Sequence, residues 1–316
     1  MNRKQSAIIR IVAWSISAVL LAVILILGIR GDFRNVGFGS FSFGFNSSVQ
    51  YSDADKYRPG NVEIDGDEIE SLEVNWVDGT ITVEVYDGDT VQVSEKARKE
   101  LEESKQLHYY NKNGRLMIQY RKAEKSWFSF GDNLRKELTI RIPVKTAEAM
   151  GEIQIDTVSS DTEIRGISAE GMKLDSTSGD FVLTKCHMSE LDMDSTSGSL
   201  KGEALTVKGK MDTDTTSGTI DVKGSFGSVE ADTVSGDITV DSGICPEKVR
   251  TDGVSGEVTL ILPDNRGFTY ESDTVSGSVE CEFQITYKDD KGIYKDGDAS
   301  FSFDSVSGDI IIKKRS

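Results

Sequence analysis

The sequence predicts an all-β protein: a parallel β-solenoid of about 20-residue coils, two short strands per coil, behind a single N-terminal transmembrane helix. Three observations predict it. A phrase of the type "DTVSGDITV" (Asp232–Val240) recurs along the chain, as "DSTSGDFVL" from Asp175, "DTTSGTIDV" from Asp214 and "DSVSGDIII" from Asp304. Within each recurrence apolar residues alternate with period two, the mark of strands with one buried face. Near the N-terminus a run of 19 residues, Ile11–Ile29, carries no charge.

Composition agrees with many short strands joined by turns. The 316 residues include only 4 prolines but 30 glycines, with abundant Ser, Thr and Asp. The formal charge is −17; setting aside Arg3, Lys4, Arg10 and Arg30 leaves 32 basic against 53 acidic residues, a balance of −21. A body so acidic repels nucleic acid and anionic headgroups, so ionic partners are cations or basic proteins. Cys186, Cys245 and Cys281 are too few for a disulfide framework and read as small apolar fillers. His108 and His187 belong to no metal-spaced cluster.

From the N-terminus, residues 1–10 read as a cytoplasmic tail and Ile11–Ile29 as a signal anchor. At 1.5 Å rise per residue the span covers roughly 28 Å, close to the hydrocarbon thickness. A cleaved signal peptide is the alternative, but no small-x-small cleavage site ends the run. Arg3, Lys4 and Arg10 precede it and only Arg30 and Arg34 follow closely, which favours a cytoplasmic N-terminus and an extracellular remainder. The tripeptide Arg30-Gly31-Asp32 lies against the membrane and is not read as a recognition motif. Residues 30–61, with "VGFGSFSFGF" from Val36, form a Gly/Ser/Phe stalk whose aromatics suit the headgroup region.

Residues 62–150 share the grammar of the repeat without its regularity. "LEVNWVDGTITVEV" (Leu72–Val85) reads as a divergent copy that caps the open end of the solenoid, with Asn75 for Asp and Asp78-Gly79 for Ser-Gly. Leu107–Tyr120 reads as a hairpin around Asn113-Gly114. Ser94–Ser104 is expected to form a short surface helix on two apolar anchors, Ala97 and Leu101. "LTIRIPV" (Leu138–Val144) leads into the first full copy.

Residues 151–316 hold eight copies. Aligned on the Gly of "SG", the slot is filled by Ser160, then Gly179, Gly198, Gly218, Gly236, Gly256, Gly277 and Gly308, at spacings of 19, 19, 20, 18, 20, 21 and 31 residues. A period near 20 marks a stacked array, whereas propeller blades need roughly 40 residues. The last gap carries an insertion, Tyr287–Asp298, expected to bulge from a corner. Two places after the slot stand Thr162, Phe181, Leu200, Ile220, Ile238, Val258, Val279 and Ile310. Four places after come Ile164, Leu183, Gly202, Val222, Val240, Leu260, Cys281 and Ile312. Seven places before come Ile153, Met172, Leu191, Met211, Val229, Val249, Tyr270 and Phe301. These are inward columns. One copy alone cannot bury them, so copies must stack with parallel pairing.

Four places before the slot every copy carries Asp: Asp156, Asp175, Asp194, Asp214, Asp232, Asp252, Asp273 and Asp304. One place before it every copy carries Ser: Ser159, Ser178, Ser197, Ser217, Ser235, Ser255, Ser276 and Ser307. Stacked at ~4.8 Å, neighbouring carboxylates repel by ~1 kcal/mol in water and ~3–4 kcal/mol near a protein surface. Two compensations are open. Each Asp accepts hydrogen bonds from the turn amides while Gly supplies a positive φ, making this a structural turn column. Alternatively a row of calcium ions binds there, although the Gly-rich nonapeptide of calcium-binding solenoids is absent. No other cofactor is expected.

A membrane anchor, "WVDG", a charged hairpin, an "IPV" strand and serial "SGD" copies together resemble the bacterial "putative adhesin" domains of β-strand repeats, over about residues 62–316. The resemblance implies an envelope protein displayed at the surface and names no ligand. The expected function is therefore a non-enzymatic, membrane-anchored extracellular binding module, adhesin-like, whose partners are cell-wall polymer or an envelope membrane protein. The alternative is a regulatory or sensory accessory protein of an envelope-stress system, working through a membrane partner. An enzyme would need acids and bases converging on one face, and here the acids are spread along the rod. No phosphate-binding glycine motif is present, and nucleic acid is excluded as a partner.

Overall fold

The computed structural model describes residues 53–122 and 134–315, so the tail, the span over Ile11–Ile29 and most of the stalk lie outside the described residues. What is described is all-β. Helix there is limited to one α-turn, Val144–Ala147, and 3-10 turns at Ala54–Lys56, Gly66–Glu68 and Glu103–Lys105. Among the described residues no helix is long and apolar enough to cross a membrane.

Each copy runs strand, turn, strand, and successive copies pair in parallel with their columns in register. Met150–Arg165 pairs Ile153 with Met172 and Asp156 with Asp175 of the next copy. The second strands align as well, Phe181 between Thr162 and Leu200. The apolar columns face one continuous core, in which Ile153, Ile164, Phe181, Leu183, Met211, Ile220, Val222, Ile238 and Ile312 are all but fully buried. A further column, one place before the Asp, deepens it with Ile155, Leu174, Met193, Ala231 and Phe303.

The Gly slot has a different cause from the positive φ expected of it. A Cβ at Gly198 would lie 2.1 Å from the Gly179 carbonyl oxygen, and one at Gly236 2.0 Å from that of Gly218. The turns nest so closely that no side chain fits between them. Within the repeats only Gly256 among the slot glycines takes a left-handed conformation, φ +139°.

The stack does not follow the chain at its far end. Lys248–Ser255 of the sixth copy pairs with Ala299–Ser307 of the eighth, Asp252 opposite Asp304. The eighth pairs on its other side with Gly267–Thr274 of the seventh, Asp304 opposite Asp273. The spatial order is therefore six, eight, seven. The insertion that was expected to bulge from a corner instead makes this possible. Thr286–Lys288 and Lys291–Lys295 form an antiparallel hairpin that covers the outer edge of the seventh copy, Phe268 opposite Tyr294. The chain then doubles back and slots its last copy inside.

The other end is built alike. Ser71–Tyr86 lies against the first copy with Asn75 opposite Asp156 and Gly79 opposite Ser160. Beyond it a further rung is assembled from Arg115–Gln119 and Lys136–Pro143. Antiparallel strands then end the stack: Thr90–Lys96 on Lys136–Pro143, and His108–Lys112 on Arg115–Gln119. The hairpin turns at Asn113-Gly114, both at positive φ, 52° and 83°. The surface helix expected over Ser94–Ser104 is not formed. Ser94–Lys96 completes a strand whose Val91 and Val93 are buried, and its pairing with 137–139 outweighs a helix held by two apolar anchors.

Candidate functional site: the carboxylate columns beside the turns

In stack order the Asp column runs Asp156, Asp175, Asp194, Asp214, Asp232, Asp252, Asp304 and Asp273, each opposite the next. Asn75 and then Gln119 continue it on the N-terminal side. The Ser column stands at the tip of the turn, and Ser159, Ser178, Ser197, Ser217, Ser235, Ser255, Ser276 and Ser307 are all exposed. Ser159 Oγ donates to the Val77 carbonyl of the rung before, at 3.3 Å.

The turn amides expected to bind the Asp carboxylates are met by another group. The slot amide of Ser160 donates to Thr157 Oγ1 at 3.1 Å, and that of Gly198 to Ser195 Oγ at 2.7 Å. These hydroxyls stand one place after the Asp, where seven of eight copies carry Ser or Thr. The regular "DT" and "DS" pairs were the available signal. Asp232 Oδ1 instead accepts from the Asp252 amide of the next rung, at 2.8 Å.

The acid of "SGD", one place after the slot, was also missed by reasoning from the sequence. It ties rung to rung. Asp161 Oδ1 accepts from the Asp180 amide (3.1 Å), Asp180 Oδ1 from Ser199 (2.8 Å), and Asp237 Oδ1 from Glu257 (2.9 Å). Asp309 Oδ1 accepts from both the amide and hydroxyl of Ser278, which holds its carboxyl below the usual range.

The two acid columns therefore differ in electrostatics. In the first column Asp156, Asp175, Asp232, Asp252, Asp273 and Asp304 are half-buried and Asp194 and Asp214 are exposed at the surface of the stack. Where the carboxyl is partly desolvated its charged form is disfavoured. Burial, then the charge of Asp194, lifts Asp214 to about 6; burial, then Asp252, lifts Asp232 to about 7. Burial likewise raises Asp156, Asp175, Asp194 and Asp304. Cations are few. Lys173 lies 3.9 Å from both Asp175 and Asp192, and Arg250 Nη2 lies 2.6 Å from Asp252. Lys210 Nζ is held by Asp212 (2.6 Å) and Glu230 (2.8 Å).

Other titratable groups serve the fold. His108 is buried with Nδ1 3.0 Å from the Gln106 carbonyl. Cys186, Cys245 and Cys281 are free thiols that burial pushes up, Cys245 to about 11. Lys136, unforeseen as a core residue, is fully buried where the slot glycine would stand, opposite Gly79. Its Nζ meets Glu95 Oε2 at 2.7 Å, donates to the Tyr120 carbonyl and lies 4.5 Å from the Tyr120 ring centroid and 5.4 Å from that of Trp76. Burial lowers its pKa and Glu95 opposes the shift. Among the described residues no three His, Cys, Asp or Glu side chains converge as a metal site.

The chain belongs to the Toastrack DUF4097 family, whose pattern matches residues 69–313. Comparison with curated proteins returns no match. Among solved structures it is similar to a "putative adhesin" of Bacteroides fragilis, at 12% identity over 81% of this chain and 96% of that one, TM-score 0.43. It is also similar to a "putative cell adhesion protein" of Clostridium sporogenes, at 17% identity over 82% and 100%, TM-score 0.27. A third is a "putative lipid binding protein" of Parabacteroides distasonis, at 15% identity over 82% and 97%, TM-score 0.40.

Proposed function

We propose that this protein is a non-enzymatic binding module: a parallel β-solenoid held outside the cell by a membrane anchor at Ile11–Ile29, its turn edge offered to cell-wall polymer. The observation that carries the reading is the exposed Ser column, present in all eight copies, in register at Ser235, Ser255 and Ser307, and flanked by the Asp column on one side and by acids in five of the eight copies on the other. A ligand with its own repeat meets a hydroxyl and at least one carboxylate at each step, and many weak contacts sum to avidity. The acidic balance turns away nucleic acid and favours polymers with hydroxyl, amide or cationic groups.

The test is co-sedimentation of the full-length, detergent-solubilised protein with isolated bacterial cell wall, in calcium and in chelator. Binding in both is the expected result. Binding in calcium alone would assign the acid columns to metal. Absence of binding in both would overturn the wall-contact reading in favour of an envelope membrane protein as the partner, reached through the anchor.

A further inference from the structure

We propose that the Asp column is a proton-responsive brace, which holds the stack together more tightly as the surroundings acidify. This is a property of the folded rod itself and does not depend on the ligand proposed above. Its geometric basis is the density of like charge. Residues two apart on a strand face the same way, so Asp192 and Asp194, Asp212 and Asp214, and Glu230 and Asp232 put six carboxylates on three consecutive rungs. The groups facing the column are few. Glu73, Gln154 and Lys173 flank Asp156 and Asp175. Asp192, Asp212 and Glu230 flank Asp194 and Asp214, Lys173 also acts on Asp194, and Arg250 faces Asp232, Asp252 and Asp304, the last of these also facing Asp273. Lys210 is already shared between Asp212 and Glu230. The centre of the column, Asp194 and Asp214, has no cation of its own among the described ion pairs.

One further observation points to the proton as the compensating ligand: the column is continued by Asn75 and Gln119, so a neutral side chain is accepted at this place in the rung. The turn bonds are made by Thr157 and Ser195 and do not require an Asp charge.

The direction follows from linkage. An acid whose folded pKa is raised binds protons better folded than unfolded, so the repulsion is felt above the folded values, near 6 to 7 for Asp214 and Asp232, and is relieved as pH falls through them. Acid stabilisation in this window is opposite to the usual behaviour of paired carboxylates. Glu230, held low first by Lys210, acts the other way, as do Asp53, Asp264 and Asp309, but all of them only below this window, from about pH 5 downwards.

The experiment is urea unfolding of the full-length protein in detergent micelles from about pH 7.5 to about pH 5.5, followed by tryptophan fluorescence. The unfolding constant is expected to fall at least about tenfold per pH unit, the signature of one net proton taken up on folding. Asp194→Asn with Asp214→Asn should raise the midpoint at the alkaline end and cut the slope to about half or less. A flat wild-type profile, or one that loses stability towards acid, overturns the proposal without need of any variant. So does an unchanged slope in a folded variant. Added calcium at the alkaline end should leave the midpoint unchanged; a rise as large as that produced by acid would make the column a cation site instead.

Discussion

The two ends of the stack solve one problem by different chemistry. Any solenoid must finish its core, because the last rung has no neighbour to cover its apolar columns. At the N-terminal end the finish is polar: Lys136 is buried against Glu95 between the rings of Tyr120 and Trp76. At the far end it is aromatic. The Phe268 ring stacks 4.8 Å from Phe301 and meets Phe283 edge-on at 5.2 Å, with Tyr294 of the covering hairpin 5.4 Å away. Both ends share one device, antiparallel strands laid over the outermost parallel rung. The lesson is that repetition specifies the middle of such a rod, whereas each end is an individual piece of packing.

The largest expected effect comes from the doubling back at the far end. In a solenoid stacked in chain order, deleting the last copy would only shorten the rod. Here removal of residues 299–316 takes out an interior rung and leaves both Lys248–Ser255 and Gly267–Thr274 unpaired on one side. The truncated chain should lose cooperative unfolding and aggregate, which size-exclusion chromatography with circular dichroism would reveal. A shorter but monomeric and cooperative protein would contradict the six-eight-seven order. The N-terminal plug comes next. Glu95→Ala leaves an unpaired buried ammonium and should cost about 3–5 kcal/mol by urea unfolding, whereas Lys136→Met with Glu95→Leu should restore much of it. Phe268→Ala, which opens a cavity in the aromatic end, should cost about 3 kcal/mol.

These expectations show where the sequence was legible. Every inward column assigned from period two is buried or half-buried, because alternation reports burial directly. The family resemblance rested on these repeats together with the anchor, "WVDG", the charged hairpin and the "IPV" strand, and the family pattern matches residues 69–313. The stack order was not legible: the eighth copy has the same inward residues as the others, and nothing in Phe301 or Ile310 marks an interior rung. The 31-residue gap was the one cue, since only an added hairpin lets the chain return. The Gly slot was recognised for the wrong reason. A glycine excluded by a neighbour's carbonyl and one required by φ look identical in sequence, and only the 1.9–2.2 Å approaches separate them. Lys136 was hidden because a lysine in "LRKEL" reads as solvated until the rung above it is known. Among the site residues the columns were plain, but the turn bonds were assigned to Asp when the adjacent hydroxyls of Thr157 and Ser195 hold them.

That last difference sets the smaller predictions. Thr157→Val keeps the shape and removes the acceptor for the Ser160 amide, so it should cost about 1–2 kcal/mol, the penalty of an unsatisfied buried donor. Ser217→Ala, at the exposed tip, should stay within about 0.5 kcal/mol. If the two costs proved equal, the turn would be held by its tip rather than by the hydroxyl beside the Asp.

The smallest effect contrasts the far end with the middle by the sign of its pH response. Asp264 is held low, at about 2, first by the hydroxyl of Tyr294 at 2.6 Å and then by Lys295 Nζ at 3.0 Å. A depressed carboxyl contributes stability that is present above its unfolded value, near 4, and is lost as pH falls towards the folded one. Because the group is exposed, its loss should free only the hairpin locally rather than unfold the rod. Amide exchange at Lys291–Lys295, corrected for the intrinsic effect of pH, should therefore be faster at about pH 2.5 than at about pH 5, and Asp264→Asn should show the faster exchange already at about pH 5. The column at mid-rod should become better protected over the range above that, from about pH 7.5 down to about pH 5.5. Opposite signs from the same acid titration would separate a carboxylate that ties a strand down from carboxylates that push rungs apart. Loosening of both regions together would mean that the rod responds to its net charge as a whole, and that neither local geometry governs the outcome.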